Sequence, residues 1–123
     1  MARLLRTLLL AFLLLAGTHA SAARPVVVSS KLSSESAMIG QMIRLLLDAH
    51  GIPTVDRMAI GATPVVRKAL LAGEIDLYIE YTGNAGFFFN RADDPAWKDL
   101  QRGYALGAQL DHDANRVVPG GRA

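Results

Sequence analysis

The stretch GATPVVRKALLAGEIDLYIEYTGNAG, which begins at Gly61, most constrains the fold of this chain. Thr63–Pro64 is typical of a helix start, with threonine at the N-cap and proline at the first helical position. The apolar spacing that follows predicts a short helix, which ends at Gly73. Ile75–Tyr81 then predicts a buried strand, and a Gly-containing loop follows it. This order places backbone donors, tyrosines and small polar side chains together at the end of a strand.

The rest of the chain predicts the same alternation of strand and helix. The other predicted elements are a strand at Val26–Val28, a helix capped by Ser33 or Ser34, a strand at Thr54–Ile60, and a third helix that Asp94–Pro95 caps and that runs to about Leu110. The apolar face of the first helix is predicted to contain Met38, Ile39, Met42, Ile43, Leu46 and Leu47. The longest irregular segment is predicted at Gly83–Asp93. Three alternations predict one α/β domain with a mostly parallel sheet and flanking helices.

The first 22 residues have the pattern of a cleaved secretory signal rather than of the fold. Arg3 and Arg6 give a positive start, and the apolar run Leu8–Ala16 is too short to span a bilayer. Small residues at A-x-A spacing predict cleavage after Ala22 or after Ala20. The alternative for this segment is an N-terminal membrane anchor.

Composition narrows the location and the partners. The chain has no cysteine, which excludes a disulfide framework and a lipid-attachment cysteine. A soluble periplasmic protein is therefore the simplest expectation. Without Arg3 and Arg6, 11 of the 13 basic residues remain against 11 acidic residues. The processed chain is then neutral, which argues against nucleic-acid binding.

A ligand site is expected where the strands end, because open α/β sheets bind ligands outside the carboxyl ends of their strands. Those ends are Ser29–Lys31, Gly61–Thr63 and Tyr81–Asn84. The first two open helices, whose free N–H groups can hold a carboxylate, and Lys31 could add a positive charge there. The plain alternatives are helix capping by Ser33 and Thr63, and a solvated loop position for Lys31.

Aromatic residues cluster after the second predicted helix. A quaternary ammonium donates no N–H hydrogen bond, so proteins hold it over aromatic faces. Tyr81, at the strand end, is the best candidate for such a face. Tyr78 is a weaker one, since strand residues three apart point to opposite faces. Phe87–Phe89 are interpreted as core or interlobe packing, and Trp97 as packing.

Catalytic and metal-site patterns are weak. Outside the signal the histidines are His50 and His112, and neither has a nucleophile at a suggestive spacing. Asp93–Asp94 and Asp111-x-Asp113 could ligate a metal, but helix capping and solvated turns explain them better. No P-loop, GxGxxG or GxSxG pattern is present. The chain is therefore expected to be neither an enzyme nor a metal or cofactor protein, although a periplasmic enzyme using Asp93, Asp94 or His112 remains an alternative.

Four motifs resemble one family. Ser30–Lys31, Gly61–Leu70, Gly73–Tyr78 and Glu80–Gly83 are similar to the osmoprotectant-type substrate-binding proteins of ABC importers. These are periplasmic receptors for glycine betaine, choline and related quaternary amines. The resemblance runs over Val26–Val118, and E-Y-T-G after G-E-I-D-L-Y is its most specific part.

The resemblance implies a lobe of the type II periplasmic-binding fold, with the ligand held between two lobes that close as a hinge. It implies that Tyr81 forms one wall of an aromatic cage and that the position of Asn84 binds the ligand carboxylate. The ligand-binding residues expected on this basis are Ser30, Lys31, Glu35, Thr63, Tyr81, Thr82 and Asn84. The implied partners are a small quaternary-amine ligand and the membrane permease subunits, with the receptor a monomer.

The chain departs from the family pattern in its motifs and its length. Ser33–Ser36 replaces the usual phenylalanine-threonine-glutamate-glutamine, and Asn84 replaces a threonine, which suggests a divergent branch. Residues 23–118 are expected to form an incomplete first lobe, and 119–123 a tail unlike the family. The sequence thus predicts a receptor truncated to one lobe that binds no ligand tightly. A small lobe that binds a partner protein without ligand transport is the alternative.

Overall fold

The chain folds as alternating strands and helices. A computed structural model describes residues 24–118 and residue 120. The predicted signal at 1–22 lies outside the described residues, as does the predicted tail at 119–123 apart from Gly120. In chain order the elements are β1 (Val26–Lys31), α1 (Ser34–Ala49), β2 (Thr54–Gly61), α2 (Thr63–Leu71), α3 (Asn84–Phe88), a 3₁₀ helix (Pro95–Lys98) and α4 (Leu100–Asn115).

β1 and β2 form a parallel pair, which confirms the predicted α/β class. The register shifts between Ser29 and Lys31, where β2 bulges. Ala59 lies in the bulge with a left-handed φ of 56°, and its N–H donates to the buried Ser30 hydroxyl over 2.8 Å. The bulge thus gives the buried Ser30 hydroxyl, which donates to the Lys31 carbonyl, a donor to accept from as well.

The predicted third strand at Ile75–Tyr81 is much shorter in the structure. Only Leu77 makes a bridge, which is parallel and pairs it with Val28. The Ser29 N–H donates to the Leu77 carbonyl over 2.9 Å, so this segment lies beside β1 as predicted but does not continue as a strand.

Side chains end the ladder between β1 and this segment on both sides of the bridge. The Val27 N–H donates to the Asp76 carboxylate over 2.7 Å, where a neighbouring strand would offer a carbonyl. The Lys31 N–H donates to Ser36 Oγ over 3.1 Å. Because these backbone N–H groups of β1 donate to side chains instead of to carbonyls of the segment, the segment does not continue as a strand.

The starts of α1 and α2 differ from each other. Ser33 caps α1, since its Oγ accepts the Ser36 N–H over 3.2 Å, as one of the two predicted caps. The prediction that Thr63 caps α2 was wrong, because Thr63 is the first helical residue and the N-cap is Ala62, which makes no side-chain cap. Pro64 does lie in the first turn as predicted.

The C-terminal helix begins later than predicted. Asp94 accepts the Ala96 N–H over 2.9 Å, but this contact starts only the 3₁₀ helix. Asp99 is the cap of α4, accepting the Arg102 N–H over 2.8 Å, and the helix continues to Asn115. The predicted irregular segment Gly83–Asp93 also contains the short helix α3.

Two glycines let α4 approach its neighbours closely. A Cβ on Gly103 would lie 3.2 Å from the Ala96 carbonyl oxygen, and one on Gly107 would lie 3.2 Å from the Ala85 Cβ. Both glycines are buried. Their helix-weakening effect is therefore offset by close packing of α4 on α3 and the 3₁₀ helix.

The core is small and lies between the sheet and α2. Val28, Val66 and Ile75 are its fully buried large side chains. The predicted apolar face of α1 is divided, because the helix buries Ser36 and Gly40 toward the sheet while three residues of that face are more than half exposed. These are Met38, Met42 and Leu46, and Leu45, which was not assigned to the face, is equally exposed. The described residues therefore leave an apolar face of α1 uncovered.

We expect Asp76→Asn to destabilise the chain by about 1 kcal/mol near neutral pH. Hydrogen bonds from the Arg24 guanidinium and the Val27 N–H hold the pKa of Asp76 below its usual value. A lowered folded-state pKa adds stability that is complete above the unfolded value of about 3.9 and is lost as pH falls through the folded value. Urea unfolding at pH 7 and pH 2.5 should therefore show a deficit for the variant that is smaller at the lower pH.

Asp113→Asn, which changes an exposed carboxylate on α4, is the control for this measurement. A deficit of Asp76→Asn that persists undiminished at pH 2.5 would contradict the ionic origin of the effect.

Candidate ligand-binding site

The carboxyl end of β1 and the segment after Leu77 meet at one edge of the sheet. Lys31 ends β1, and Glu80 follows the Leu77 bridge. Their side chains form an ion pair between Nζ and Oε1 that is largely shielded, with 11% of the lysine side chain and 20% of the glutamate side chain exposed. Lys31 is therefore neither a solvated loop lysine nor a free positive charge.

Glu80 is the centre of the site, and sequence reasoning assigned it no role. Its Oε1 accepts from Lys31 Nζ, from the Tyr81 N–H over 2.8 Å and from Asn84 Nδ2 over 2.7 Å. Its Oε2 accepts the Tyr78 hydroxyl over 2.9 Å. The sequence feature that could have identified Glu80 is its carboxylate near the end of a predicted strand, in the motif that also contains Tyr81.

Tyr81 offers the aromatic face that its position predicts. Its side chain is 50% exposed, and the Lys31 ammonium lies 4.6 Å from the ring centroid. The hydroxyl donates to Glu35 Oε2 over 2.8 Å, and this hydrogen bond raises the pKa of the Tyr81 phenol. Glu35 thus comes from the first turn of α1 to fix the far end of the ring.

Tyr78 contributes through its hydroxyl rather than through its ring face. Burial raises the pKa of the Tyr78 phenol, and the adjacent Glu80 carboxylate raises it further. The phenol therefore stays protonated and can donate to Glu80 throughout the physiological pH range.

The structure brings the other predicted site residues near the same edge, in different roles. Ser30 is fully buried, and its hydroxyl donates to the Lys31 carbonyl over 2.9 Å while accepting from Ala59. The Thr82 carbonyl accepts the Ala85 N–H over 3.1 Å in the turn that leads into α3. Thr63 lies at the start of α2, where it faces a groove.

This groove has a volume of about 590 Å³ and runs between α2 and α3. Its lining residues are Thr63, Pro64, Arg67, Lys68, Leu71, Asn84, Phe87 and Phe88. Asn84 lines the groove and also donates to Glu80, so it links the groove to the Glu80 cluster, which comprises Glu80 and its partners Lys31, Tyr78, Tyr81 and Asn84. Phe87 is 72% exposed, whereas Phe88 and Phe89 are partly buried.

Arg67 joins α2 to α4 behind the groove. Its guanidinium forms a two-point ion pair with Asp111, with an Nη1–Oδ2 distance of 2.9 Å. It also lies over the rings of Phe88 and Phe89, 4.6 and 5.9 Å from their centroids. Phe88 and Phe89 therefore pack within this lobe, as one of the sequence interpretations held.

Trp97 has a packing role, in line with its sequence interpretation. Its Nε1 lies 3.0 Å from the position that a Cβ on Gly86 would take, and its ring also contacts Gly103 and Gly107. The indole N–H donates to the Arg91 carbonyl over 2.5 Å. The tryptophan thus fills the space between α3 and α4.

The acidic residues considered for catalysis or metal binding are separated. Asp94 caps the 3₁₀ helix and pairs with Arg91, while Asp111 pairs with Arg67. Within residues 24–118, no three His, Asp or Glu side chains group in a way that could hold a metal ion. In the same part of the chain, no helix has the length and hydropathy needed to cross a bilayer.

The edge of a small parallel sheet presents a half-exposed tyrosine beside two carboxylates and a lysine, which is the geometry expected of a ligand-binding lobe of an α/β receptor. Residues 24–117 match the family described as the substrate binding domain of ABC-type glycine betaine transport systems. The chain belongs to this family.

Two curated proteins are similar to this chain. The glycine betaine-binding protein YehZ of Escherichia coli K12 is 47% identical over 97 residues, which is 79% of this chain and 32% of that protein. The ergothioneine transport permease/ergothioneine binding protein EgtU of Helicobacter pylori G27 is 44% identical over 63 residues, or 50% of this chain and 11% of that protein.

YehZ is similar to this chain in fold as well as in sequence. The structure of apo YehZ from E. coli superposes with a TM-score of 0.76 at 47% identity, covering 78% of this chain and 34% of YehZ. This likeness confirms the predicted periplasmic-binding-protein-like lobe. The chain spans about a third of the length of YehZ.

Proposed function

We propose that this chain supplies one lobe of the substrate-binding component of an ABC importer for glycine betaine, choline or a related quaternary amine. The observation that carries the proposal is the Tyr81 ring, which is half exposed at the sheet edge beside the carboxylates of Glu35 and Glu80. An aromatic face holds a quaternary ammonium by cation–π attraction, and nearby carboxylates favour a cation further.

The remaining residues frame this face. In the proposed site Tyr81 is one wall of the cage, and Asn84 lines the groove and belongs to the same site. The residues proposed to border the ligand are Lys31, Glu35, Thr63 and Thr82. Ser30 supports the end of β1 through the hydrogen bond from its hydroxyl to the Lys31 carbonyl. The second wall of the cage would come from a second lobe, since lobes of this fold class close on their ligand as a hinge.

The proposed setting is the periplasm, which the protein reaches through a cleaved signal and without a lipid anchor. The permease subunits of the importer are its proposed macromolecular partners, and the proposed form is a monomer. The role is binding and delivery without catalysis.

A second candidate function is that of a small lobe that binds a partner protein without transporting a ligand. The observation that favours it is the exposed apolar face of α1, formed by Met38, Met42, Leu45 and Leu46. Patches of this kind mark protein contacts when they are contiguous. Quaternary-ammonium titration separates the two candidates, because only the first requires a response at Tyr81.

We expect the chain to bind choline and glycine betaine saturably but with dissociation constants of about 1 mM or weaker. One exposed aromatic face contributes about 0.5–1 kcal/mol, well short of the roughly 8 kcal/mol that micromolar binding needs. NMR titration of ¹⁵N-labelled protein should move the Tyr81, Thr82 and Asn84 amides. Tyr81→Leu should abolish the response.

Phe87→Leu is the matched control, because it removes an exposed aromatic ring outside the Glu80 cluster. Submicromolar affinity of this chain would falsify the single-lobe reading. An equal loss of response in the Phe87 and Tyr81 variants would argue against Tyr81 as the cage wall.

A further inference from the structure

α1 is apolar on two sides, and the described residues cover only one of them. The covered side buries Ser36 and Gly40 toward the sheet, and a Cβ on Gly40 would lie 2.7 Å from Met58 Sδ on β2. With 3.6 residues per turn, the other side presents four large side chains to solvent. These form the uncovered face of α1, which consists of Met38, Met42, Leu45 and Leu46. The solvent side of a surface helix is normally polar, and a helix that is apolar all round is normally covered all round. The uncovered face therefore indicates that α1 has a further packing partner.

The polar side chains that border the uncovered face are engaged within the chain. Arg44 and Gln41 both donate to the Asp56 carboxylate on β2, over 2.7 and 2.6 Å. Glu35, in the first turn of α1, accepts the Tyr81 hydroxyl. The face itself consists of apolar side chains only, so charge favours neither a basic nor an acidic partner. Two copies of such a face meet without like charges opposite each other, which is a condition for self-association.

The apolar residues along α1 are arranged symmetrically about Met42. The pairs at equal separation from Met42 are Ile39 with Leu45, Met38 with Leu46 and, beyond the two ends of the helix, the exposed Leu32 with Ile52. A two-fold axis beside Met42 that relates two antiparallel copies of α1 would place the members of each pair at the same level of the contact. A surface that matches itself in this way is what an isologous dimer requires.

The area of the uncovered face suits a weak contact. Its four side chains are 55–69% exposed. Burying them on two copies would remove roughly 900 Å² of accessible surface, close to the about 1,000 Å² that a specific interface needs and well below the roughly 1,600 Å² of a standard one. The dimer is therefore expected to be reversible, with a dissociation constant of about 0.1 mM.

We propose that the uncovered face of α1 is a self-association surface, on which two copies of this chain pair antiparallel about Met42. The proposal goes beyond the proposed function and does not depend on it, because no residue of the Glu80 cluster takes part. The monomer predominates at low micromolar concentration, so the monomeric form proposed for ligand delivery is the dilute form of the same protein.

Sedimentation equilibrium of the protein between about 10 µM and 1 mM tests self-association. The weight-average mass should rise with concentration toward twice the mass of the monomer. A wild type that stays monomeric up to 1 mM would overturn the proposal, and this outcome needs no variant to fold.

Charged variants at Met42 test the two-fold axis. Met42→Lys and Met42→Glu each place like charges opposite each other, so each variant alone should dimerise at least tenfold more weakly than the wild type. An equimolar mixture of the two should recover the dimer, because lysine then faces glutamate. Leu100→Glu changes an exposed leucine at the first position of α4 and should dimerise as the wild type does. Circular dichroism checks that each variant is folded.

Methionine methyl groups locate the contact in the unmodified sequence. In protein labelled with ¹³C at the methionine methyls, the Met38 and Met42 signals should move as the concentration rises. Met58 packs on the covered side of α1, against Gly40, so its signal should stay in place and is the internal control.

The other occupants of the face are separate outcomes, and each would overturn the proposal. A dimer that is undiminished in Met42→Glu uses a different surface. Folded lysine and glutamate variants that do not recover the dimer on mixing rule out pairing about Met42. A monomeric wild type in which solvent paramagnets do not reach the Met38 and Met42 methyls has the face covered by its own residues, and one in which they do leaves it for a different protein.

Discussion

Replacing Arg67 with methionine is expected to lower the free energy of unfolding by about 3 kcal/mol. The guanidinium and the Asp111 carboxylate are 10% and 13% exposed, so removing one partner leaves a charge with little access to water. Methionine keeps the apolar stem that packs beside Phe88 and Phe89 but loses the cation–π contacts. The loss is a large part of the 5–15 kcal/mol that usually stabilises a domain.

The same pair is the link between α2 and α4, so the variant should also loosen α4. Urea unfolding followed by circular dichroism measures the stability, and hydrogen exchange of the α4 amides measures the local effect. Arg102→Met is the control, because its partner Asp99 is 3.8 Å away and the arginine is exposed. We expect that control to change the unfolding free energy far less.

A double variant, Arg67→Met with Asp111→Leu, tests the cause. It removes both charges, so it should recover at least half of the loss. If the double variant is as unstable as Arg67→Met, the unpaired carboxylate is not the source of the instability, and lost packing must be considered instead.

Ile75→Ala is expected to cost about 2–4 kcal/mol. Ile75 is 2% exposed and packs with Val66 and Ala69 in the core between the sheet and α2. Few large side chains are fully buried here, so the cavity left by one of them removes a large share of the apolar contacts. The thermal midpoint should fall by at least 10 °C at the upper end of this range.

Leu45→Ala provides the comparison, since Leu45 lies on the uncovered face of α1 and buries little surface. It should leave the thermal midpoint nearly unchanged and lower any tendency to self-associate. Equal destabilisation by the two substitutions would mean that α1 is covered in solution. Analytical ultracentrifugation of the wild type would then identify a dimer.

The site differs from a simple aromatic cage in its use of charge. Lys31 was expected either to help hold an anion or to be solvated, and in the structure its ammonium is shielded from water and paired with the Glu80 carboxylate. Tyr81 lies where the strand-end argument placed it, with one ring face covered by a cation of the chain.

Local patterns predicted the elements well where one interaction dominates. Serine capping of α1 and proline in the first turn of α2 were confirmed, because each depends on neighbouring residues alone. Asp94–Pro95 was taken as the start of the last helix, but Asp99 is the cap. Both aspartates suit a helix start, and the sequence has no local feature that decides between them.

The failed strand prediction at Ile75–Tyr81 shows that residues with high strand propensity need not form a strand. Its residues favour a strand, and Leu77 does pair with Val28. The Asp76 carboxylate and Ser36 Oγ compete for the N–H groups of β1 on either side. That competition involves Ser36 on α1, which no window around Ile75 contains.

The sequence by itself determined the α/β alternation, the family through the E-Y-T-G motif, and the placement of the Tyr81 segment beside β1, because these follow from residue types and short spacings. Only the tertiary structure decided what surrounds that tyrosine. Lys31, Glu35 and Glu80 come together from β1, α1 and the segment beside the sheet, at separations of up to 49 positions. A charge that is neutralised by so distant a partner leaves no periodicity or motif in the sequence, so its pairing is set by the packing of the elements.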